Sequence, residues 1–232
     1  MLLVVAELDR LLEFGRIAAW QPESDSAGPA KHTFQAIRIE VNDELNQLKH
    51  AVENFCDVTA PSGRILIIIG DSFKAQVELL PKLSDESILS FDPGMLYVEK
   101  GFDDLKVILK RTNILLINEN ELRILCNDKD SSIKELAIGL LDFGIDNVVV
   151  KQGSKGTFAI NKSEECFVEA FEVEVVDTTG AGDSFNSGFL YSYLNGYNLT
   201  KSCKIGNWVA SRAIGGFGME KFPTLKELKE FY

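Results

Sequence analysis

Between residues 65 and 151, short apolar runs rich in β-branched residues recur with amphipathic stretches between them. This alternation constrains the fold more than any other feature. The runs are Ile65–Ile69, Ser87–Phe91, Ile114–Ile117 and Asn147–Lys151, and the spacing predicts helices over about 73–80, 101–110 and 131–143. A helix between two strands is a crossover, and crossovers join parallel strands. Parallel strands bury both faces, so the expected architecture is α/β, a three-layer α/β/α arrangement around a mostly parallel sheet. Further on, the polar turn Lys162–Glu165 separates Thr157–Asn161 from Cys166–Ala170, which reads as a hairpin. The last third predicts helices over about 183–195 and 201–214.

The texture before Gly70 differs. Residues 2–20 mix apolar and charged side chains and read as helical, whereas Gln21–Ala30 has the Pro, Ser, Gly and acidic content of a loop or linker. In 33–55, Phe34, Ile37, Val41, Leu45, Leu48 and Val52 recur at three- and four-residue spacing, which predicts an amphipathic helix. Pro61-Ser62-Gly63 makes a turn. We therefore divide the chain into an N-terminal segment, 1–70, packed onto the sheet, and a main region, 71–232.

A formal charge of −11 argues against broad binding to phosphate backbones, so nucleic acid is not an expected partner. Phosphate, if bound, must meet local donors or a metal. Cys56, Cys126, Cys166 and Cys203 form no CxxC pair, and only His32 and His50 offer imidazole. A Cys/His zinc site is not expected, and four reduced thiols predict a cytoplasmic protein. The opening apolar run is broken by Glu7, Asp9 and Arg10, and no stretch reaches the roughly 18 apolar residues of a transmembrane helix, so no membrane partner is expected.

The chemistry concentrates in Asp177–Phe189, DTTGAGDSFNSGF. Val173–Val176 reads as a strand or strand end, Gly180-Ala181-Gly182 lets the backbone turn sharply, and a helical pattern follows. Small residues at a helix start present backbone N–H groups and the positive end of the helix dipole to an anion. Gly180-Ala181-Gly182 would offer such groups to charge developing on a transferring phosphoryl group, and Asp183 sits on the first turn, where a carboxylate could take a proton from an attacking hydroxyl. An isolated GxGD is equally a tight turn with Asp as cap. It also lacks the lysine of the P-loop and the spacing of the dinucleotide fingerprint.

The whole string resembles the C-terminal signature of the ribokinase-like (pfkB-type) carbohydrate kinases. The resemblance runs from about Ile67 to the C-terminus, roughly two thirds of the chain. It includes Ser90-Phe91-Asp92-Pro93-Gly94, Ile117-Asn118-Glu119-Asn120-Glu121, Lys151-Gln152-Gly153-Ser154-Lys155-Gly156, the signature, and Pro223-Thr224-Leu225. It implies a ribokinase-like fold, ATP and Mg²⁺ as cofactors, and a small sugar or nucleoside as acceptor. Asp183 then resembles the family's general base, and Gly180, Ala181 and Gly182, with the Asp183 N–H, resemble its anion hole. Asn118 and Glu121 match its N-x-x-E motif, which organises Mg²⁺ through water; by themselves they read as a helix cap. Lys151, Gly153, Ser154 and Gly156 match the segment bordering the nucleotide. Asn207 and the stretch with Gly216 and Gly218 match its adenine side. Asp177 and Thr179 are the ligands implied for a monovalent cation, K⁺, although Gly216-Phe217-Gly218 departs from the usual Gly-Ala ending.

The family's N-terminal sugar-binding and lid part, with its Gly-Gly segment and early Asp, is missing. Instead, His32–Leu45, Leu48–Val52 and Ala60–Leu66 resemble an internal piece of the bacterial 16S rRNA cytosine-N4 methyltransferases, over about 32–69. Gly70-Asp71-Ser72 stands where that family's Ser-Phe-His-Ser motif belongs. The chain reads as a chimera, whether by gene fusion, sequence-assembly artefact or engineered recombination. Three functions are carried forward: a phosphotransferase, a non-catalytic nucleotide-binding or structural module, and a remnant of an S-adenosylmethionine-dependent rRNA methyltransferase.

Overall fold

The computed structural model describes residues 2–6, 35–38, 65–69, 77, 80–82, 88–218 and 220–231. They divide into two compact units: the described residues up to 151 together with 160–164, and the remainder from 152 on.

In the first unit, β1 (Leu2–Ala6), β2 (Gln35–Arg38), β3 (Ile65–Ile69), β4 (Ile88–Phe91), β5 (Ile114–Asn118) and β6 (Asn147–Lys151) lie in the order β2-β1-β3-β4-β5-β6. From β3 to β6 each neighbouring pair is parallel, while β1 is antiparallel to both β2 and β3. Leu115, Leu116, Ile117, Val148, Val149 and Val150 are fully buried, which explains the continuous apolar runs. Among the described residues, α1 (Gly94–Val98) and α2 (Phe102–Leu109) lie between β4 and β5, and α3 (Glu119–Leu125) and α4 (Ile133–Phe143) between β5 and β6. Their ends follow local chemistry. Ser132 and Glu135 form a reciprocal capping box at the start of α4, and Gly144, with φ of 124°, ends it.

Two N-terminal expectations are corrected. Leu2–Ala6 and Gln35–Arg38 are strands, where the sequence predicted helix. Neither run is long enough to display a helical period, and pairing with β3 and with each other supplies the backbone partners. The remainder of 2–20 and of 33–55, the linker Gln21–Ala30 and the turn at Pro61 lie outside the described residues. Of the helix expected at 73–80, Val77 is helical and Leu80–Lys82 forms a 3₁₀ turn. The short helix α1 was not anticipated.

The second unit begins with a 3₁₀ turn, Gly153–Lys155, and continues with β7 (Thr157–Asn161, its last two residues counted with the first unit) and β8 (Glu165–Val168). Three helices follow: α5 (Ala181–Leu194), α6 (Leu199–Ile214) and a short, unanticipated α7 (Leu225–Phe231). Val173–Val176, expected as a strand, is an exposed irregular segment. The Val176 and Asp177 N–H groups donate instead to the Ile214 carbonyl, at 2.9 and 3.2 Å. Among the described residues no helix is long and apolar enough to cross a membrane.

Helix α5 is buried along Ser184–Ser192, so its polar side chains bond inward: Ser187 Oγ donates to Ser184 O at 2.8 Å and Ser192 Oγ to Gly188 O at 3.0 Å. Glycines let α5 and α6 approach closely. A Cβ on Gly188 would lie 2.7 Å from Val209 Cγ2, and one on Gly206 would lie 2.7 Å from Phe185 Cε2. Gly206→Ala therefore overpacks the pair and is expected to cost about 1–3 kcal/mol. A thermal melt checks this; an unchanged midpoint would mean that the Phe185 ring moves aside without cost.

Candidate functional site

In the first unit, parallel pairing of β4, β5 and β6 brings their carboxyl ends to one edge, the edge that binds ligands in open α/β sheets. Asn118 ends β5 and Lys151 ends β6, in direct register, and Asp92 follows β4. The Lys151 ammonium donates to Asp92 Oδ2 at 2.6 Å, and the two side chains are only 14% and 12% exposed. Because β5 lies between the strands that carry them, this ion pair reaches across its end. The Gly94 N–H also donates to Asp92 Oδ1, at 3.3 Å. A partly buried lysine needs such a counter-charge, since the cost of desolvation is otherwise unmet.

Asn118, in register with Lys151, opens α3 with extended backbone geometry. Its Oδ1 accepts from the Glu121 N–H at 2.9 Å, and Glu121 Oε2 accepts from the Asn118 N–H at 3.0 Å. Asn118 and Glu121 thus form a capping box, as elementary helix chemistry expects. The box leaves Glu121 Oε1 without a hydrogen bond among the described residues. Glu121 is 7% exposed. Burial pushes its carboxyl above the usual range; the bonds from Asn118 and the Lys151 charge act against that rise, and the Asp92 charge adds to it.

That shift has a sign. A raised folded-state value means that Glu121 favours folding in acid, and that this contribution is lost as pH rises through the raised value. Glu121→Gln keeps an acceptor for the Asn118 N–H but carries no charge. Its melting temperature, relative to the parent, is expected to climb from pH 4 to pH 8. Parallel melting curves across that range would refute the assigned cost of the buried charge.

In the second unit, Gly180 adopts a left-handed conformation (φ 75°) and starts α5. The Ala181 N–H turns back to Thr178 O at 3.1 Å, and the Ser184 N–H closes the first turn onto Gly180 O at 2.9 Å. Ala181, Gly182 and Asp183 are half-buried on that turn. The preceding loop is stiffened by Asp177, whose Oδ1 accepts from the Thr179 N–H at 2.9 Å. Hydrogen bonds from the Thr179 backbone and hydroxyl, and a further one from the Gly218 N–H, hold the Asp177 carboxyl below the usual range. Asp177, Thr179 and Gly218 are thereby brought together. Gly216 lies beside the Lys221 side chain.

The Gly153–Lys155 turn is closed by Gln152 N–H to Gly156 O at 2.8 Å and Gly156 N–H to Gly153 O at 3.1 Å. Gly153 has φ of 58° and Gly156 of 120°. Ser154 is exposed on this turn. Asn207 is 8% exposed, and its amide is engaged with Thr157 and with the carbonyls of Val168 and Glu169. Sequence reasoning left Asp92 and Thr157 without roles. Asp92 stood in the quoted Phe91-Asp92-Pro93-Gly94 block, an acid placed just past a strand end, but its lysine partner lies 59 residues away.

Residues 80–224 match the model of the pfkB family of carbohydrate kinases, and residues 11–78 match that of the MraW methylase family. An uncharacterized sugar kinase of Archaeoglobus fulgidus is 39% identical over 148 residues, covering 64% of this chain and 57% of that protein. The nucleoside kinase of Methanocaldococcus jannaschii is 32% identical over 158 residues, covering 64% of this chain and 48% of that protein. The chain thus spans about half the length of these curated relatives. Among solved structures, an E. coli ribokinase II assignment in complex with ATP and Mg²⁺ superposes with a TM-score of 0.59 at 29% identity, covering 69% of this chain and 53% of that one. The fold is ribokinase-like, and the family match extends over more than half of the sequence. The chain belongs to the pfkB family of carbohydrate kinases.

Proposed function

We propose that this chain binds ATP and transfers its γ-phosphate to a hydroxyl of a sugar or nucleoside. The observation that carries the proposal is the left-handed Gly180 opening α5 with Asp183 on the first turn. A helix start of this kind points N–H groups and a positive dipole end at an anion. Gly180, Ala181 and Gly182 would stabilise charge gathering on the transferred group, and Asp183 would take the acceptor's proton. Lys151 supplies a cation for phosphate oxygens. Gly153, Ser154 and Gly156 would border the nucleotide, with Gly216 and Gly218 on its adenine side. In domain terms, 71–232 carries this chemistry and 1–70 contributes strands to the sheet.

The residues present fit a magnesium ion held largely by water. Mg²⁺ prefers oxygen ligands, commonly one or two carboxylates plus phosphates. Glu121 Oε1 is available, Asn118 fixes the carboxylate's direction, and no group of three or more His, Cys, Asp or Glu among the described residues would capture a metal outright. When bound, the ion would neutralise phosphate charge. A K⁺ ion beside Asp177 and Thr179 would meet a carboxylate whose Oδ1 already accepts from the Thr179 N–H.

Calorimetry with a non-hydrolysable ATP analogue and Mg²⁺, followed by ADP release across a panel of ribose, fructose, adenosine and related acceptors, tests the proposal. Saturable binding with acceptor-dependent ADP release is expected. No binding at millimolar nucleotide would overturn it. Binding without release would leave a nucleotide-binding module and overturn the catalytic part.

A further inference from the structure

Asn207 sits mid-helix in α6, where a polar side chain 8% exposed must find partners inside the protein. It finds three. Its Nδ2 lies 3.0 Å from Val168 O and 3.1 Å from Glu169 O, and its Oδ1 lies 2.7 Å from Thr157 Oγ1. The orientation of the amide is forced, because the two carbonyls can only accept; Nδ2 must face them and both its hydrogens are consumed. The Thr157 hydroxyl, 1% exposed, must then be the donor to Oδ1. Asn207 has no hydrogen left for the ring of a bound base.

The two carbonyl partners lie in the segment that packs against Gly156. A Cβ on Gly156 would stand 2.0 Å from Val168 O and 2.8 Å from Glu169 Cα. Thr157, the third partner, follows Gly156 directly. Asn207 therefore ties both sides of this close approach to α6: the strand that leaves the Gly153–Lys155 turn and the backbone that covers Gly156.

We propose that Asn207 is a positioning residue, acting with Thr157 to fix the Gly153–Gly156 turn at the nucleotide, and that it makes no contact with the base. The inference rests on the nucleotide-binding reading given above. The two roles differ in what Thr157 should do. A base contact makes Asn207 matter for the choice of base and leaves Thr157 silent, whereas a tie makes the two residues equivalent.

The test measures ADP and GDP affinity for the full chain and for Thr157→Val, Thr157→Ser and Asn207→Leu, below each variant's melting temperature. Thr157→Val preserves shape and leaves Asn207 Oδ1 unpaired; Thr157→Ser keeps the donor. Thr157→Val and Asn207→Leu are expected to weaken ADP binding by roughly tenfold or more, the scale on which supporting partners of a binding group act. Their ADP-to-GDP ratios should match the parent's, and Thr157→Ser should bind as the parent does. Parental ADP affinity in Thr157→Val would overturn the inference, since a lowered melting temperature alone would mark a purely structural bond. So would an altered base ratio in Asn207→Leu with an unaltered one in Thr157→Val. Absence of nucleotide binding by the parent chain would fail the kinase reading itself, and the inference with it.

Discussion

Asp183→Asn is expected to slow phosphoryl transfer by roughly 10²–10⁴-fold, the usual worth of a positioned general base. The amide has nearly the carboxylate's shape, so the first turn of α5 keeps its geometry, but it does not accept the acceptor's proton. Nucleotide affinity should hold or rise, because a negative charge beside the phosphates has been removed. Stability should fall slightly, since a carboxylate in a first helical turn interacts with the dipole by about 0.3–1 kcal/mol. Initial rates with the best acceptor of the panel, alongside calorimetry on the same sample, separate these effects. Rates equal to the parent's would remove Asp183 from the role of base while leaving the anion hole in place.

Gly156→Ala should be the most destabilising of these substitutions. Its Cβ would meet Val168 O at 2.0 Å, Glu169 Cα at 2.8 Å and Ala170 N at 2.9 Å. All three are backbone atoms, so no rotamer change relieves the overlap. Its φ of 120° is unfavourable for any residue with a Cβ. Overpacking and backbone strain together suggest roughly 2–6 kcal/mol, a large part of a typical domain's stability. Gly153 is the internal control: its φ is also positive, at 58°, but nothing lies within 4 Å of its Cβ position. Gly153→Ala should therefore cost only about 1–2 kcal/mol. Urea denaturation of both variants decides the matter, and equal midpoints would show that the β8 end yields where the geometry says it does not.

How much of this was legible beforehand differs from residue to residue. The strands β3 to β6 were readable because their runs are apolar on both faces, α2 and α4 because amphipathic stretches lie between those runs, and the cap of α3 because Asn118 and Glu121 are three residues apart. The sharp turn at Gly180-Ala181-Gly182 was local in the same way, and the structure adds that Gly180 makes it in the left-handed region. Leu2–Ala6 and Gln35–Arg38 were misread because strand pairing is a long-range choice that a run of four or five residues does not encode. Val173–Val176 failed for the complementary reason. Its β-branched residues suit a strand, but the chain bonds to the end of α6 instead, and intrinsic preference yields to the partner at hand.

The sequence by itself determined the family, the parallel α/β alternation and the kinds of side chain at each strand end, because these depend on periodicity and on chemistry within a few neighbouring residues. Only the tertiary structure decided how those side chains are spent. It joined Lys151 to Asp92 across the end of β5, closed Asn207 onto Thr157 and two carbonyls, and set a backbone against Gly156 so tightly that no side chain fits. Each of these joins residues distant in the chain, and a hydrogen bond or an overlap depends on distance in space.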